Sequence, residues 1–147
     1  VKPVSKLSRT LVGAALAVTA VGPLLADFVV PRTARQHLRN PNWPPHAKFH
    51  DAQYIVMGML TGGIGLRVLS RRGGDERARF QLAAALGSIP WLGMVGASLF
   101  PGTAATDPEF EATEPQVLGM HPQLVMALAL LTGLSGAVTV ESARSRR

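Results

Sequence analysis

The chain has 147 residues, the size of one domain, and 47% of them are apolar. It contains no cysteine, which excludes disulfides, thiolate metal sites, iron–sulfur clusters and cysteine nucleophiles. A net charge of +6 does not point to nucleic acid, because the basic residues flank apolar blocks instead of forming one face with interleaved aromatics.

Four apolar blocks follow one another. The first covers residues 11–30 and holds a single charge, Asp27. At about 1.5 Å of rise per residue it matches the roughly 30 Å hydrocarbon core of a bilayer. The second runs over 52–69, with Arg67 near its end, where it can snorkel. The third covers 80–100 and the fourth 124–140, neither with a charge. Each is too long and too uniformly apolar for a half-buried soluble helix. The expected fold is therefore an all-α integral membrane protein, a four-transmembrane-helix bundle forming a single membrane domain over 1–147. Lys2, Lys6 and Arg9 precede the first block, which reads as a retained span and not a cleaved leader.

Four spans place the N-terminus, the 70–79 loop and the C-terminus on one side. That side carries eleven Lys and Arg, against Arg32, Arg35, Arg39 and Lys48 on the other. The positive-inside rule then puts both termini in the cytoplasm, with the bacterial cytoplasmic membrane as the expected location. Asp107, Glu109, Glu111 and Glu114 fall in the loop assigned to the outer side.

Within lipid, close helix packing depends on small residues. Gly58 with Gly62, Gly93 with Ala97, and Gly133 with Ala137 are candidate contacts. Pro23 and Pro90 remove the hydrogen bonds to the carbonyls of Thr19 and Leu86, and each is expected to kink its helix.

All four histidines, His37, His46, His50 and His121, fall on the expected outer side. Pro44 and Pro45 suit the entry to the second helix, where a missing N–H costs nothing. His46 and His50 are then i and i+4 on one face, continued by Gln53 and Met57. Such a pair can chelate a metal, share a proton, or do neither at a membrane interface. Asp27 is a carboxylate inside a span, so it is expected to face the bundle interior with a partner, His50 on the functional reading and Arg32 or Arg35 on the bland one. His121 is expected to cap the fourth helix, with Pro122 in its first turn. The positive ends of the second and fourth helices then point outward and can stabilise a developing oxyanion. Asp27, His46, His50, Gln53 and His121 are expected to converge on one outer pocket, near Glu114 and Asp51, roofed by Trp43 unless that ring belongs to an aromatic belt.

The stretches Gly22-Pro-Leu-Leu-Ala-Asp27 and Asn40-Pro-Asn-Trp-Pro-Pro-His-Ala-Lys-Phe-His-Asp-Ala-Gln53 resemble a family of small bacterial and fungal membrane proteins of unknown function. Phe-Pro-Gly at 100–102 and Asp-Pro-Glu at 107–109 are weaker echoes of it. The resemblance covers most of the first three spans, and in that family another histidine precedes the Asn-Pro, a place His37 occupies here. It implies that the loop-and-histidine element is a hallmark of the family and names no activity.

Three functions stay open. In the first, an enzyme acts on a lipophilic small molecule by acid–base chemistry of isomerisation, cyclisation or hydration type. Asp27 and His50 are its principal pair, with His46 and His121 completing the catalytic set and Trp43, Gln53, Met57 and Glu114 binding substrate. In the second, the cofactor is a single zinc, iron or copper ion on His46, His50, His121 and a carboxylate, Asp27 or Glu114, for redox or hydrolytic chemistry. In the third, the protein is a lipid-binding or accessory subunit of the membrane, with a homo-oligomer compatible with all three. No P-loop, dinucleotide fingerprint, serine elbow or haem-attachment motif is present.

Overall fold

The computed structural model describes residues 3–146. Among them are five helices, and the only strand-like pairing is an isolated bridge between Val117 and Met120. Helix α1 spans Lys6–Leu24 and runs on through a π-helical turn, Leu25–Val29. A short α2, Pro31–Ala34, follows, then α3 over Pro45–Ser70, α4 over Glu76–Ala97 and α5 over Pro122–Ser145. Four helices are long and apolar enough to cross a membrane, counting α1 with its π-turn as one.

The helices outrun the apolar blocks because their caps lie in polar flanks. Ser5 accepts from the Ser8 amide at the start of α1, and Asp75 from the amides of Arg77 and Ala78 at the start of α4. Pro44 precedes α3 and Pro45 occupies its first turn. His121 caps α5 as expected, its Nδ1 accepting from the Gln123 amide at 3.3 Å. Helix α4 ends at Ala97, short of the expected 100, since Ser98–Phe100 must turn ahead of Pro101.

Helix α1 packs against α3, α4 and α5, and α4 packs against α3 and α5. The closest approach is made by the predicted Gly58 and Gly62 pair. A Cβ on Gly62 would stand 2.6 Å from the Ala20 nitrogen and 2.7 Å from the Leu16 carbonyl, so the two main chains touch. Gly58 lies against the carbonyl of Thr19, the one freed by Pro23. Leu16, fully buried, fills the notch left by Gly65 and Gly87. Thr19 donates to the Ala15 carbonyl at 2.9 Å and accepts from Trp91 Nε1 at 2.8 Å, so both of these buried polar groups are satisfied. The Gly93–Ala97 pair differs from expectation, and of the Gly133–Ala137 pair only Ala137 is buried in the core. A Cβ on Gly93 or Gly133 would meet nothing within 4 Å, because neither lies where two helices cross closely.

At the end holding the described termini, side chains tie the helices together. Glu141, 1% exposed, accepts from the hydroxyls of Ser5 and Ser8 at 2.6 and 2.7 Å and from Arg144 at 2.9 Å. Arg77 donates to the Glu141 carbonyl. Arg9 bridges Glu76 at 2.9 Å and the Leu69 carbonyl at 2.8 Å.

Candidate functional site

The opposite end of the bundle is built around a break in α1. Beyond Pro23 the helix widens into the π-turn, a geometry frequent where a helix serves a site, and Asp27 sits at its centre with 1% exposure. Val30 is extended, Pro31 restarts the chain as α2, and the segment folds back over the turn. The Thr33 hydroxyl donates to the Ala26 carbonyl at 2.5 Å, and the Leu38 amide to the Asp27 carbonyl at 3.3 Å.

This fold-back delivers His37 to Asp27. His37 Nδ1 lies 2.9 Å from the Thr33 carbonyl and 3.4 Å from Asp27 Oδ1. A carbonyl oxygen only accepts, so Nδ1 carries a hydrogen, and in the neutral ring the lone pair is on the other nitrogen. Asp51 of α3 lies within electrostatic reach of Asp27 and His37, and Tyr54, one turn on, within reach of both carboxylates. Asp27 Oδ1, Asp51 Oδ2 and the Tyr54 hydroxyl are buried with no hydrogen-bond partner. Buried polar atoms are nearly always satisfied, so three orphans in one cluster mark it out.

A clasp between two loops closes this end. Asn40, fully buried, accepts from the Asn42 amide at 2.8 Å, an Asx turn that aims both amide side chains at Glu109. Asn40 and Asn42 each donate to that carboxylate at 2.7 Å, and Trp43 Nε1 donates to Asp107 at 2.6 Å. Gln36 donates to Glu114 at 2.5 Å, and His121 Nε2 stands 3.7 Å from the same carboxylate. The Asn-Pro-Asn-Trp run thus grips the Asp-Pro-Glu run.

Under the clasp lies a cavity of about 650 Å³ between α3, α4, the start of α5 and the loops. Its walls are largely apolar, with Met57, Ile89, Met94, Phe110 and Leu124 among them, and no Lys or Arg lines it. Gly93 and Ala97 border it, so that pair makes space instead of a helix contact. Its polar lining includes His37, His121, Gln36, Asp107 and Gln123, with His37 meeting Trp43 edge to face at 5.7 Å.

The candidate residues are therefore divided. Asp27 stands behind His37, while His121, Trp43 and Met57 line the cavity and Glu114 backs His121. His46 and His50 are exposed and do not line it. Their Nε2 atoms face each other at 3.1 Å, and His50 Nδ1 meets the exposed Gln53 at 3.2 Å. The expected pairing of His50 with Asp27 is not formed, and the expected convergence of both histidines on the cavity does not occur. Nor are Asp27, His46, His50 and His121 brought together as ligands, and among the described residues no three His, Asp or Glu side chains form a group that could hold a metal. Position along α3 separates His46 and His50 from the cavity, since both lie in its first two turns, ahead of the cavity-lining Tyr54, Met57 and Thr61. The buried face of α3 is Ile55, Gly58, Gly62, Gly65 and Leu69, which one turn earlier is Asp51. His50 falls on the stripe of Tyr54, Met57 and Thr61, which do line the cavity, but one turn nearer the start of α3, and Gln53 is turned away from both. Extending the glycine face backward was the signal for Asp51 and Tyr54.

A family model described as a family of unknown function (DUF6640) matches residues 11–146. No curated protein and no solved structure matches the chain.

Proposed function

Since the chain belongs to the DUF6640 family, which brings no activity with it, we propose from the geometry that it is a membrane-embedded enzyme acting on a lipophilic small molecule by acid–base chemistry. The observation that carries this reading is the His37–Asp27 pair at 3.4 Å, set beside orphaned buried polar atoms at the wall of an apolar cavity. A neutral imidazole with its lone pair free is a general base. The carboxylate behind it orients the ring and stabilises the imidazolium that forms, without itself taking the proton. His37 is the base, Asp27 positions it, and Trp43 and Met57 help enclose the substrate.

The outward faces of the bundle support its insertion in a bilayer. Leu60, Ile64, Leu82, Leu92 and Val140 are each at least half exposed, as suits helices whose solvent is hydrocarbon. The eleven-to-four distribution of Lys and Arg orients the described termini toward the cytoplasm and the cavity toward the outer leaflet. A substrate dissolved in the bilayer then reaches the cavity without crossing it.

The test is proton exchange. Purified protein in lipid nanodiscs is incubated in D2O with a lipophilic cell extract, and the extract is scanned by mass spectrometry for deuterium uptake. Uptake by wild type and its loss in His37→Gln support the reading. Equal uptake with and without protein would sink it and leave the cavity as a lipid-binding site.

A further inference from the structure

Resting on that acid–base reading, we infer that the two imidazoles facing the cavity are held in opposite tautomers, His37 as acceptor and His121 as donor. The matching substrate class is a neutral lipophilic carbonyl compound with an acidic C–H beside the carbonyl.

The tautomers follow from what each Nδ1 meets. His37 Nδ1 faces two acceptors, the Thr33 carbonyl at 2.9 Å and Asp27 Oδ1 at 3.4 Å, so it carries the hydrogen and Nε2 is free to accept. His121 Nδ1 accepts from the Gln123 amide at 3.3 Å in capping α5, so its hydrogen is on Nε2. Glu114 Oε1, 3.7 Å from that Nε2, is an acceptor and agrees. Backbone groups impose both assignments, and they are opposite because one ring meets a carbonyl and the other an amide N–H.

The rest of the wall narrows the ligand. Trp43 Nε1 is engaged by Asp107 and the Gln36 amide by Glu114. Thr61 and Ser98 donate to carbonyls of their own helices, Met57 at 2.8 Å and Val95 at 2.6 Å. Tyr54 lines the cavity, but its hydroxyl is buried and offers the cavity no donor. With no Lys or Arg in the lining and Asp107 in it, an anionic ligand has no counter-charge, whereas a neutral carbonyl oxygen finds the His121 N–H and an adjacent C–H finds a base.

The chemistry balances without a co-reactant. His37 Nε2 takes the proton from the carbon beside the carbonyl, and the electron pair of that C–H bond moves into an enolate. The negative charge on oxygen is held at the positive end of α5 by His121 Nε2–H, which Glu114 at 3.7 Å leaves free to donate. The His37 imidazolium then returns the proton, to the same carbon or, in a β,γ-unsaturated ketone, to the γ carbon as the double bond moves into conjugation.

Two measurements test this. Nitrogen NMR of protein labelled with ¹⁵N-histidine, in detergent at a pH where imidazole is neutral, reads both tautomers directly. The four histidines are assigned through His37→Gln and His121→Asn, the second keeping a good helix cap. In parallel, a long-chain β,γ-unsaturated cyclohexenone is incubated with the protein in D2O. Opposite tautomers, with exchange and conjugation of this ketone slowed about 10²–10³-fold in His121→Asn, are expected. Identical tautomers overturn the inference even where the cell extract still exchanges, which leaves the acid–base reading standing. Opposite tautomers with an inert ketone overturn the substrate class, and loss of extract exchange as well brings down the parent reading.

Discussion

Glu141 and Asp27 lie at opposite ends of one bundle, each 1% exposed, and their surroundings differ in kind. Glu141 receives two serine hydroxyls and an arginine, all within 3.0 Å, and its own carbonyl is taken by Arg77. Asp27 leaves Oδ1 without a hydrogen bond, beside a histidine at 3.4 Å and two more orphaned groups on α3. A buried charge that is fully hydrogen-bonded holds elements together. A buried charge left short of partners costs stability, and a chain keeps it where chemistry needs it. Volume separates the ends in the same way, since the cavity adjoins the Asp27 cluster.

Variants at the two ends should therefore separate rate from stability. The largest effect belongs to His37→Gln, which removes the base. Exchange in D2O should fall about 10²–10⁴-fold with the unfolding midpoint nearly unchanged. A slow but otherwise normal variant sharpens the contrast, whereas an unfolded one breaks it. Next comes Glu141→Ala. Losing hydrogen bonds to a charged group should cost about 2–3 kcal/mol in a denaturant titration in detergent, with exchange intact where the protein is still folded. Asp27→Asn should change stability by no more than about 1 kcal/mol, since the desolvated charge disappears with the carboxylate. Its signature is a fall in kcat with KM held, because it acts through His37. Should it unfold the protein as readily as Glu141→Ala, the two carboxylates are alike and the comparison fails. The smallest effect is assigned to the His46→Ala/His50→Ala double variant. Both rings are exposed and outside the cavity, so stability should move by less than about 0.5 kcal/mol and exchange by less than twofold. A large loss of exchange there would restore His50 to the site.

Parts of this arrangement are legible in the chain. Uniform apolar blocks of span length, Pro44-Pro45 and His121-Pro122 at helix entries, and a glycine pair four apart are local signals, and each corresponds to a structural feature. Asp27 is conspicuous because a lone carboxylate in an apolar block demands an explanation. Its partner is not, because the π-turn and α2 reverse the chain, and nothing in local spacing favours His37 over the arginines nearer to it. Glu141 escapes notice for the converse reason. It lies just past an apolar block and looks solvated, yet Ser5 and Ser8 come from the other end of the chain.

The sequence by itself determined the four helices, the proline entries of two of them with the His121 cap, and the presence of a costly charge near one end, because these depend on hydropathy and missing N–H groups within a few residues. Only the tertiary structure decided which face of α3 is inward. That choice set Asp51 inside beside Tyr54, while the π-turn and α2 brought His37 against Asp27. The face is chosen by contact with α1, where Gly62 lets two backbones meet, and contact between helices is not a property of either one alone.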